Sequence, residues 1–289
     1  MFVPRRILEA KLLKTLAEDV GQGDVTTSAV VPAGTHAQAQ AVARAPGTVA
    51  GIEEATILLE SVGLTVKTHV KDGQEVRKNQ VLLNISGDAR TILSTERTLL
   101  NIISRMSGIA TATSEVVEKL RGSKFRTLVA STRKTAPGFS YFDKKAVHLG
   151  GGDAHRLHLD DMVLIKDNHI LIAGSVKKAV EAARKSVSFS KKIEVEVANV
   201  AGMLEALDAG ADIVMLDNFS SKRIKEAVEA LRKKKREGKV LLEASGGITT
   251  ENVLSFASTG VDVVSLGELT QSPRALDISL DITRIEKSG

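Results

Sequence analysis

The sequence predicts an α/β protein in which a small N-terminal α+β sandwich is followed by an α/β barrel or partial barrel. After Gly122, short apolar strand segments alternate with amphipathic helical segments, a pattern typical of parallel sheets. Six or seven such units within roughly 150 residues favour a barrel over a doubly wound sheet. An open sheet remains the alternative, but neither a GxGxxG nor a GxxxxGK[ST] motif supports it.

Composition excludes several classes of protein. Of 289 residues, 43% are hydrophobic and 26% are charged, which is ordinary for a globular protein. No apolar run approaches the length of a membrane-spanning helix, and Arg5 and Arg6 are not followed by the apolar segment of a secretory signal. Because the chain has no cysteine, disulfides and thiolate catalysis are excluded, and a cytoplasmic location without a membrane partner is expected.

The net charge of +5 suits a small anionic substrate. The basic run from Arg232 to Arg236 could indicate nucleic-acid binding. The end of a solvated helix explains this run more simply, because cations are favourable at a helix C-terminus. Aromatic residues make up only 3% of the chain, so few side chains could stack on bases. We therefore expect no nucleic-acid partner.

The N-terminal elements are predicted from hydrophobic periodicity and turn residues. A long helix is expected from Ser94 to Arg121, with Ser94 or Thr95 as N-cap, Gly122 as C-cap, and Gly108 at a bend or close packing contact. The other predicted elements are a helix over Ile7 to Glu18, an extended segment starting at Val25, a strand over Ala37 to Arg44, a helix over Ile52 to Val62, and a hairpin of Val66 to Val70 and Val81 to Ile85 around a Lys71-Asp72-Gly73 turn.

The predicted barrel strands all end in polar residues. In parallel α/β barrels the carboxyl ends of the strands form one rim, and catalytic residues lie there. One of these strands, Met162 to Ile165, reads as a buried strand. The strand ends lie near Ser131, Lys166, Val197, Asp217, Ala244 and Gly267, and the helices between them cover Val176 to Ala183, Val200 to Leu207, Ile224 to Leu231 and Val253 to Ala257.

Side chains of both charges collect at this predicted rim. The alternation from Ile193 to Val197 places Glu194 and Glu196 on one face, which we expect to point into the barrel. Buried carboxylates require cations, a metal or polar ligands, and with Asp217 they suit ribose hydroxyls or magnesium. The cationic side chains, which suit a small polyanion, are Arg133, Lys134, His155, Arg156 and Lys166.

A glycine-rich segment after the fifth strand matches the phosphate sites of barrels. Ser245, Gly246 and Gly247 precede a helix expected at Thr249, and Gly267 ends the next strand. Loops after the last strands of a barrel present backbone N–H groups to phosphate, and glycine allows a close approach.

Taken singly, these residues also have purely structural explanations. These explanations do not account for the presence of polar groups at the end of every predicted strand. We assign His158, Asp160 and Asp161 to structure. The structural alternatives are a solvated turn for Arg133 and Lys134, a helix cap for His169, an ion pair of Glu243 with Lys166, and a helix cap for Asp217 and Asn218.

Several motifs, in this order, resemble the quinolinate phosphoribosyltransferase family. They are TRKTAPG at Thr132 to Gly138, GGGDAHR at Gly150 to Arg156, IKDNH at Ile165 to His169, EVEV at Glu194 to Val197, LDNF at Leu216 to Phe219, and EASGGI at Glu243 to Ile248. The resemblance extends over nearly the whole chain, from GDVTT at Gly23 to GELT at Gly267. It implies an α/β sandwich domain (residues 1–112, with 273–289 returning to it) and an open, incomplete α/β barrel (residues 113–272).

The resemblance also implies a reaction. Quinolinate and phosphoribosyl pyrophosphate would give nicotinate mononucleotide, pyrophosphate and CO2, with Mg²⁺ as cofactor, in de novo NAD biosynthesis. Lys134, Lys166, Glu196 and Asp217 would be catalytic. The metal would lie at Glu196 and Asp217. The implied substrate-binding residues are Arg97, Thr132, Arg133, Lys134, His155, Arg156, Lys166, Glu196, Asp217, Ser245, Gly246, Gly247 and Gly267.

A homodimer or higher homo-oligomer with shared active sites is implied as well. Arg97 would then reach the site of a neighbouring subunit, which would explain why a cation stands in the first turn of its predicted helix.

Two other functions stay open from the sequence. A paralogue on the same scaffold, such as the molybdenum-transport-associated relative or a nicotinate phosphoribosyltransferase, would take a different base. The paired cations at the rim suit two carboxylates and favour quinolinate. A non-catalytic sensor of pyridine carboxylates would need an output element, and the sequence shows no helix-turn-helix pattern.

Overall fold

The computed structural model describes residues 3–235 and 238–286, which form two compact units. The first unit runs through Ala112 and takes in His148–Gly150 and the chain from Pro273 onward. The second unit comprises Thr113–Val147 and Gly151–Ser272. Arg236 and residues 287–289 lie outside the described residues. Within the described ranges, no helix combines the length and the apolar character that a membrane crossing requires.

The first unit combines helices with an antiparallel sheet. Its four-stranded sheet has the order β12-β1-β5-β3, and a separate pair joins β2 to β4. In chain order the elements are α1 (Arg5–Val20), α2 (Val25–Val30), β1 (His36–Ala43), β2 (Gly47–Thr48), α3 (Ile52–Ser61), β3 (Thr65–Thr68), β4 (Glu75–Val76), β5 (Val81–Asp88), α4 (Ala89–Gly122), which continues into the second unit, and, near the C-terminus, β12 (Ile278–Glu286).

Two helices of this unit begin where aspartates cap them. The segment predicted to be extended is the helix α2, because Asp24 accepts a hydrogen bond from the backbone N–H of Thr27 at 2.9 Å. The long helix α4 begins earlier than the predicted Ser94, because Asp88 accepts a hydrogen bond from the backbone N–H of Thr91 at 2.8 Å. The capping aspartates, not the apolar periodicity, set both starts.

The two strands of the predicted hairpin are not joined by a tight turn. Strands β3 and β5 pair antiparallel. The Lys71-Asp72-Gly73 segment does not join them directly, because β4 lies between them and pairs with β2. The turn prediction was wrong in its connectivity and right about which strands pair.

The second unit contains a six-stranded sheet in which every pair of neighbours is parallel. Its strand order is β6-β11-β10-β9-β8-β7. In chain order its elements are β6 (Leu128–Ser131), α5 (Ser140–Leu149), β7 (Val163–Ile165), α6 (Asp167–Ala173), α7 (Val176–Ser186), β8 (Ile193–Val197), α8 (Val200–Asp208), β9 (Ile213–Asp217), α9 (Ser221–Lys233), β10 (Leu241–Ser245), α10 (Val253–Ala257), β11 (Val263–Leu266) and α11 (Glu268–Gln271).

The strand order shows a barrel that is open on one side. Strands β7 to β11 follow chain order, and β6 pairs with β11, whereas a closed barrel would also pair β6 with β7. Among the described residues, β6 is flanked on its other side by the backbone of Asp153. The Asp153 N–H donates to the Val129 carbonyl at 2.7 Å, and its carbonyl accepts from the Ser131 N–H at 3.1 Å. The predicted fold class, with an open and incomplete barrel, is confirmed.

Burial follows the position of each strand in this sheet. Val195, Val214 and Ala244, on the inner strands, are fully buried. In contrast, Val163 and Leu164 of β7 are only half-buried, so the prediction of a buried strand was wrong there. Strand β7 is the edge strand of the open side, and an edge strand is covered by fewer neighbours.

The described part of the basic run ends a helix, as predicted. Ser220 caps the start of α9 by accepting from the backbone N–H of Arg223, and Arg232 and Lys233 occupy its last turn.

We predict that Gly108→Ala destabilises the first unit. An added Cβ would lie 2.0 Å from the carbonyl oxygen of Arg274, a backbone atom that cannot move aside cheaply. Chemical denaturation should show a loss of about 3 kcal/mol in the free energy of unfolding. Gly122→Ala, in the same helix, is the matched control, because nothing lies within 4 Å of its added Cβ. Equal stability of the two variants would contradict this packing contact.

Candidate functional site

A pocket of about 490 Å³ lies in the second unit, at the carboxyl ends of the parallel strands. Each strand of the sheet contributes lining residues at or near its carboxyl end, as expected for a parallel sheet. The predicted site residues that line it are Thr132, Arg133, Lys134, His155, Arg156, Lys166, Glu196, Asp217 and Ser245.

The predicted glycines Gly246, Gly247 and Gly267 are not among the residues that line this pocket, but two of them lie beside residues that are. A Cβ on Gly267 would lie 3.5 Å from Cδ of Lys134, an ordinary van der Waals distance, so the Lys134 side chain lies beside this glycine. Gly246 has φ +96°, and its Cβ would come within 2.2 Å of the Asn218 side chain. Gly247 faces open space. The helix expected at Thr249 begins only at Val253, where α10 starts.

Arg97 belongs to the first unit, whereas the residues that line the pocket belong to the second. It is exposed on α4, within the first unit.

The cationic side of the pocket is formed by two loop segments. Arg133 and Lys134 are exposed after β6, and Thr132 Oγ1 accepts the backbone N–H of Lys134 at 3.2 Å, which orders their turn. Arg156 is only 9% exposed. Its burial, and then the nearby charge of Arg133, lower the pKa of Arg156. These neighbouring cations repel each other, and an anion between them would relieve that repulsion.

His155 lies between two buried carboxylates. Its Nε2 is 3.1 Å from Oε2 of Glu243 and 3.3 Å from Oε2 of Glu194, and both glutamates are almost fully buried. Burial opposes protonation of His155, but the close contacts with Glu194 and Glu243, and the charge of both carboxylates, outweigh it and raise the pKa of His155 to about 10. At neutral pH His155 is therefore an imidazolium whose charge offsets that of the two buried carboxylates.

One N–H cannot serve two carboxylates equally well. Within the described residues, neither oxygen of Glu194 has an aligned hydrogen-bond donor, whereas Glu243 also accepts from Ser265 Oγ at 2.5 Å. Burial raises the pKa of Glu194. Ligand atoms of His155, Glu194 and Glu243 lie within 4.8 Å of one another, a spacing that a metal could use. A metal ligand must be deprotonated, so a metal bound at this group would have to displace the proton of His155.

The anionic side of the pocket comes from neighbouring strands β8 and β9. Glu196, half-buried near the end of β8, lies 3.2 Å from Nζ of Lys166. Asp217 ends β9, and its Oδ2 accepts a hydrogen bond from Nδ2 of Asn218 at 2.7 Å. The Asn218 N–H donates to the Ser245 carbonyl at 2.8 Å. This hydrogen bond joins the end of β9 to the start of the glycine-rich loop of Ser245, Gly246 and Gly247.

These contacts decide several of the structural alternatives. His169 does cap a helix, because its Nδ1 accepts the backbone N–H of Lys166 at 2.9 Å at the start of α6. The pairing of Glu243 with Lys166 was wrong, since Lys166 pairs with Glu196. Asp217 and Asn218 do not cap α9, since Ser220 does. Asp161 has a structural contact, because its Oδ2 accepts backbone N–H groups of Leu157 and His158.

Sequence reasoning missed two kinds of residue. Glu243 and Ser265 line the pocket, yet nothing in their neighbouring sequence shows that they bind each other. Lys144 is 1% exposed in α5, and its Nζ contacts oxygens that directly precede both cationic loops. A lysine inside a helix gives no sign in the sequence that it points inward.

Comparison with known proteins places the whole chain in one family. The family model described as "Quinolinate phosphoribosyl transferase, C-terminal domain" matches residues 109–281, and the one for the N-terminal domain matches residues 24–107. A probable nicotinate-nucleotide pyrophosphorylase (carboxylating) from Methanocaldococcus jannaschii is 46% identical over 277 residues, which cover 95% of this chain and 97% of that protein.

Further relatives agree. The nicotinate-nucleotide pyrophosphorylase (carboxylating) from Mycobacterium leprae is 42% identical over 93% of this chain and 95% of its own length. The solved structure of the nicotinate-nucleotide pyrophosphorylase from Francisella tularensis is 38% identical, covers 98% of both chains and superposes with a TM-score of 0.88. With the fold, the rim and both family models in agreement, the chain belongs to the quinolinate phosphoribosyltransferase family.

Proposed function

We propose that the pocket at the carboxyl ends of the barrel strands is where this chain carries out the reaction of its family. The chain transfers the phosphoribosyl group of phosphoribosyl pyrophosphate to quinolinate with decarboxylation, which gives nicotinate mononucleotide, pyrophosphate and CO2 in NAD biosynthesis. One observation carries the assignment to this pocket: a cationic side and an anionic side face one cavity, and these are Arg133, His155, Arg156 and Lys166 against Glu196 and Asp217.

The cationic side suits a pyridine dicarboxylate. Arginine binds carboxylates through two parallel hydrogen bonds, and such charge-assisted bonds are stronger than neutral ones. The imidazolium of His155 lies beside Arg156 and offsets Glu194 and Glu243, and the ammonium of Lys166 lines the same pocket. We propose that Arg133, His155, Arg156 and Lys166 hold and orient the two carboxylates of quinolinate. Orientation of the pyridine nitrogen toward the sugar is itself a large part of catalysis.

The other half of the pocket suits the sugar phosphate. Glu196 and Asp217 present carboxylates of a kind that binds ribose hydroxyls. The loop of Ser245, Gly246 and Gly247, with Gly267, is proposed to hold the 5′-phosphate through backbone N–H groups. Lys134, whose side chain lies against Gly267, places a cation beside that loop, and Thr132 orders the turn that carries Lys134.

The same carboxylates fit the Mg²⁺ ion that the family resemblance implies. Glu196 and Asp217 lie at or next to the ends of neighbouring strands and offer hard oxygen donors, which are the ligands that Mg²⁺ prefers. Glu196 also pairs with Lys166, so one of its oxygens is already partly satisfied. When bound, Mg²⁺ would neutralise charge that develops on the pyrophosphate leaving group.

The chemistry then needs little from the protein beyond placement and charge. The pyridine nitrogen forms a bond to the anomeric carbon as the bond to pyrophosphate breaks. Glu196 and Asp217 stabilise the positive charge that builds up on the sugar in an oxocarbenium-like transition state. The new positive charge on the ring nitrogen then favours loss of the adjacent carboxylate as CO2, and a proton takes its place on the ring carbon.

Removal of a carboxylate-binding cation should abolish turnover without loss of the fold. We expect Arg133→Ala and Lys166→Ala to lower kcat/KM by at least about 10³-fold, because each leaves a substrate carboxylate unpaired. Pyrophosphate and CO2 release with quinolinate would measure this, and circular dichroism would check the fold. Lys177→Ala, an exposed lysine of α7, is the control. Near-wild-type rates in either active-site variant would contradict the assignment of these residues to substrate binding.

The same assay separates the alternatives of base and class. Steady-state rates with quinolinate and with nicotinate tell this reaction from that of a paralogue. A binding protein without activity would release no pyrophosphate when both substrates are mixed.

The proposed metal ligands should set the requirement for magnesium. Glu196→Gln and Asp217→Asn each remove one anionic donor, so the Mg²⁺ concentration for half-maximal rate should rise about tenfold or more. Asp208→Asn, an exposed carboxylate at the end of α8, is the matched control. An unchanged magnesium requirement in both active-site variants would mean that the ion is held through the substrate alone.

We also propose a homodimer, or a higher homo-oligomer, in which Arg97 of one subunit completes the pocket of another. The support is the family resemblance, which implies this role for Arg97, and the exposure of its side chain on α4. A cytoplasmic location is proposed from the lack of cysteine.

Shared sites would allow two inactive variants to complement each other. An Arg97→Ala subunit keeps an intact pocket, and an Arg133→Ala subunit keeps an intact Arg97. After unfolding and joint refolding in equal amounts, mixed dimers should restore about a quarter of wild-type activity, since half of the dimers are mixed and each has one complete site. No gain over the separate variants would refute the shared site.

A further inference from the structure

We propose that Lys144 is a positioning residue that fixes both carboxylate-binding loops relative to each other at the open side of the barrel. The inference rests on the proposed function, because it concerns how the quinolinate-binding side of that pocket is held. Lys144 is not one of the residues that line the pocket, although Ser131, which it contacts, is. It acts through the backbone that carries Arg133, His155 and Arg156.

The contacts of the Lys144 ammonium group lie at the starts of the two loops. Nζ is 3.1 Å from Ser131 Oγ and 3.4 Å from the Ser131 carbonyl oxygen, and it donates a short hydrogen bond to the Ala154 carbonyl. Ser131 ends β6 directly before the turn of Arg133, and Ala154 directly precedes His155. A single ammonium group therefore joins the starts of both cationic segments.

This join lies where the sheet gives the least support. In a closed barrel, a full strand pair would hold β6 to the segment on its open side. Here the contact of β6 with this segment is a single isolated bridge, Ala130 with Asp153. Lys144, with the hydrogen bond of Ser131 Oγ to the Ala154 carbonyl at 3.3 Å, continues the join beyond that bridge.

The backbone at His155 needs such support. His155 has φ +52°, a left-handed conformation that costs energy in a residue with a Cβ. Asp153 Oδ1 accepts the His155 N–H at 2.6 Å, and Lys144 holds the carbonyl of the preceding residue. Groups on both sides of the peptide thus fix the direction in which the imidazolium and Arg156 point.

The position is also costly for a lysine, which indicates that it serves a purpose. Lys144 is 1% exposed. Charged groups near it are Asp153, Arg133, Arg156 and, on its own helix, Asp143. Burial, followed by the charges of Arg133 and Arg156 against those of Asp153 and Asp143, lowers the pKa of Lys144 to about 8.

Below that pH the ammonium has three N–H donors for three oxygens. As the pH rises through about 8, the neutral amine keeps two donors, and one oxygen loses its partner. Quinolinate binding should therefore weaken on the alkaline side.

The test compares Lys144→Met with wild type. Methionine keeps the unbranched chain up to the position of Cε and removes every donor. The KM for quinolinate should rise about 10²-fold, as expected for misplaced binding groups, while the KM for phosphoribosyl pyrophosphate should stay within about threefold of wild type. Lys191→Met is the matched control, because its Nζ donates to the Asp160 carbonyl before β7, at the opposite end of that strand from the pocket.

A second readout does not depend on substrate. Hydrogen exchange of residues 131–134 and 153–156 should be faster in Lys144→Met than in wild type and unchanged in Lys191→Met. Unchanged exchange in both segments, or an equal loss of affinity for both substrates, would overturn the proposal.

Wild-type protein alone provides a third measurement if Lys144→Met fails to fold. Its affinity for quinolinate, measured by calorimetry, should fall several-fold between pH 7 and pH 9, a range below the pKa of about 10 of His155. A flat profile would overturn the proposal. A wild-type protein that releases no pyrophosphate would instead refute the proposed function, and the exchange comparison would still decide the role of Lys144.

Discussion

The pairing of β6 with the backbone of Asp153 is the contact on which the arrangement of the site depends. It takes the place of the strand pair that would close a barrel, and it brings the segment of His155 and Arg156 beside the segment of Arg133. A fully paired strand at this place would use its polar groups for the sheet ladder. Because only one bridge is formed, the chain beyond it is free to turn its side chains into the pocket.

Compensation of buried charge is the second constraint. Glu194, Glu243, Arg156 and Lys144 are all nearly buried, and each would be costly without a neighbour of opposite charge or a hydrogen-bond partner. The sheet resolves this by placing the glutamates on β8 and β10 against His155 from the loop. The pair of carboxylates keeps His155 cationic, and the surplus positive charge of Arg133 and Arg156 is left for an anion.

The two sides of the pocket follow from the order of the strands. The cations come from the two segments at the open side, after β6 and before β7, and from Lys166 after β7. The carboxylates come from β8 and β9, and the glycine-rich loop of Ser245, Gly246 and Gly247 follows β10. Since β7 and β8 are neighbours in the sheet, a dicarboxylate bound by the cations can lie beside a sugar phosphate bound by the carboxylates.

Much of this could be read from the sequence. The alternation of apolar strands and amphipathic helices after Gly122 predicted the parallel sheet, and the polar residues that end each strand predicted its rim, because carboxyl ends of parallel strands meet at one edge. The periodicity of Ile193–Val197 correctly placed Glu194 and Glu196 on one side. Helix starts were less accurate at α2 and α4, because a capping aspartate sets a start that hydrophobic periodicity cannot show.

Only the tertiary structure decided which charges meet. Lys166 could have paired with Glu243, and the sequence offers no way to choose, because residues far apart in the chain become neighbours only through the register of the strands. The inward direction of Lys144 and the left-handed backbone of His155 depend in the same way on packing around the open side of the barrel. The sequence determined the fold class and the kinds of groups at the rim. Long-range strand register and burial determined the partners of these groups, their protonation and the direction of their side chains.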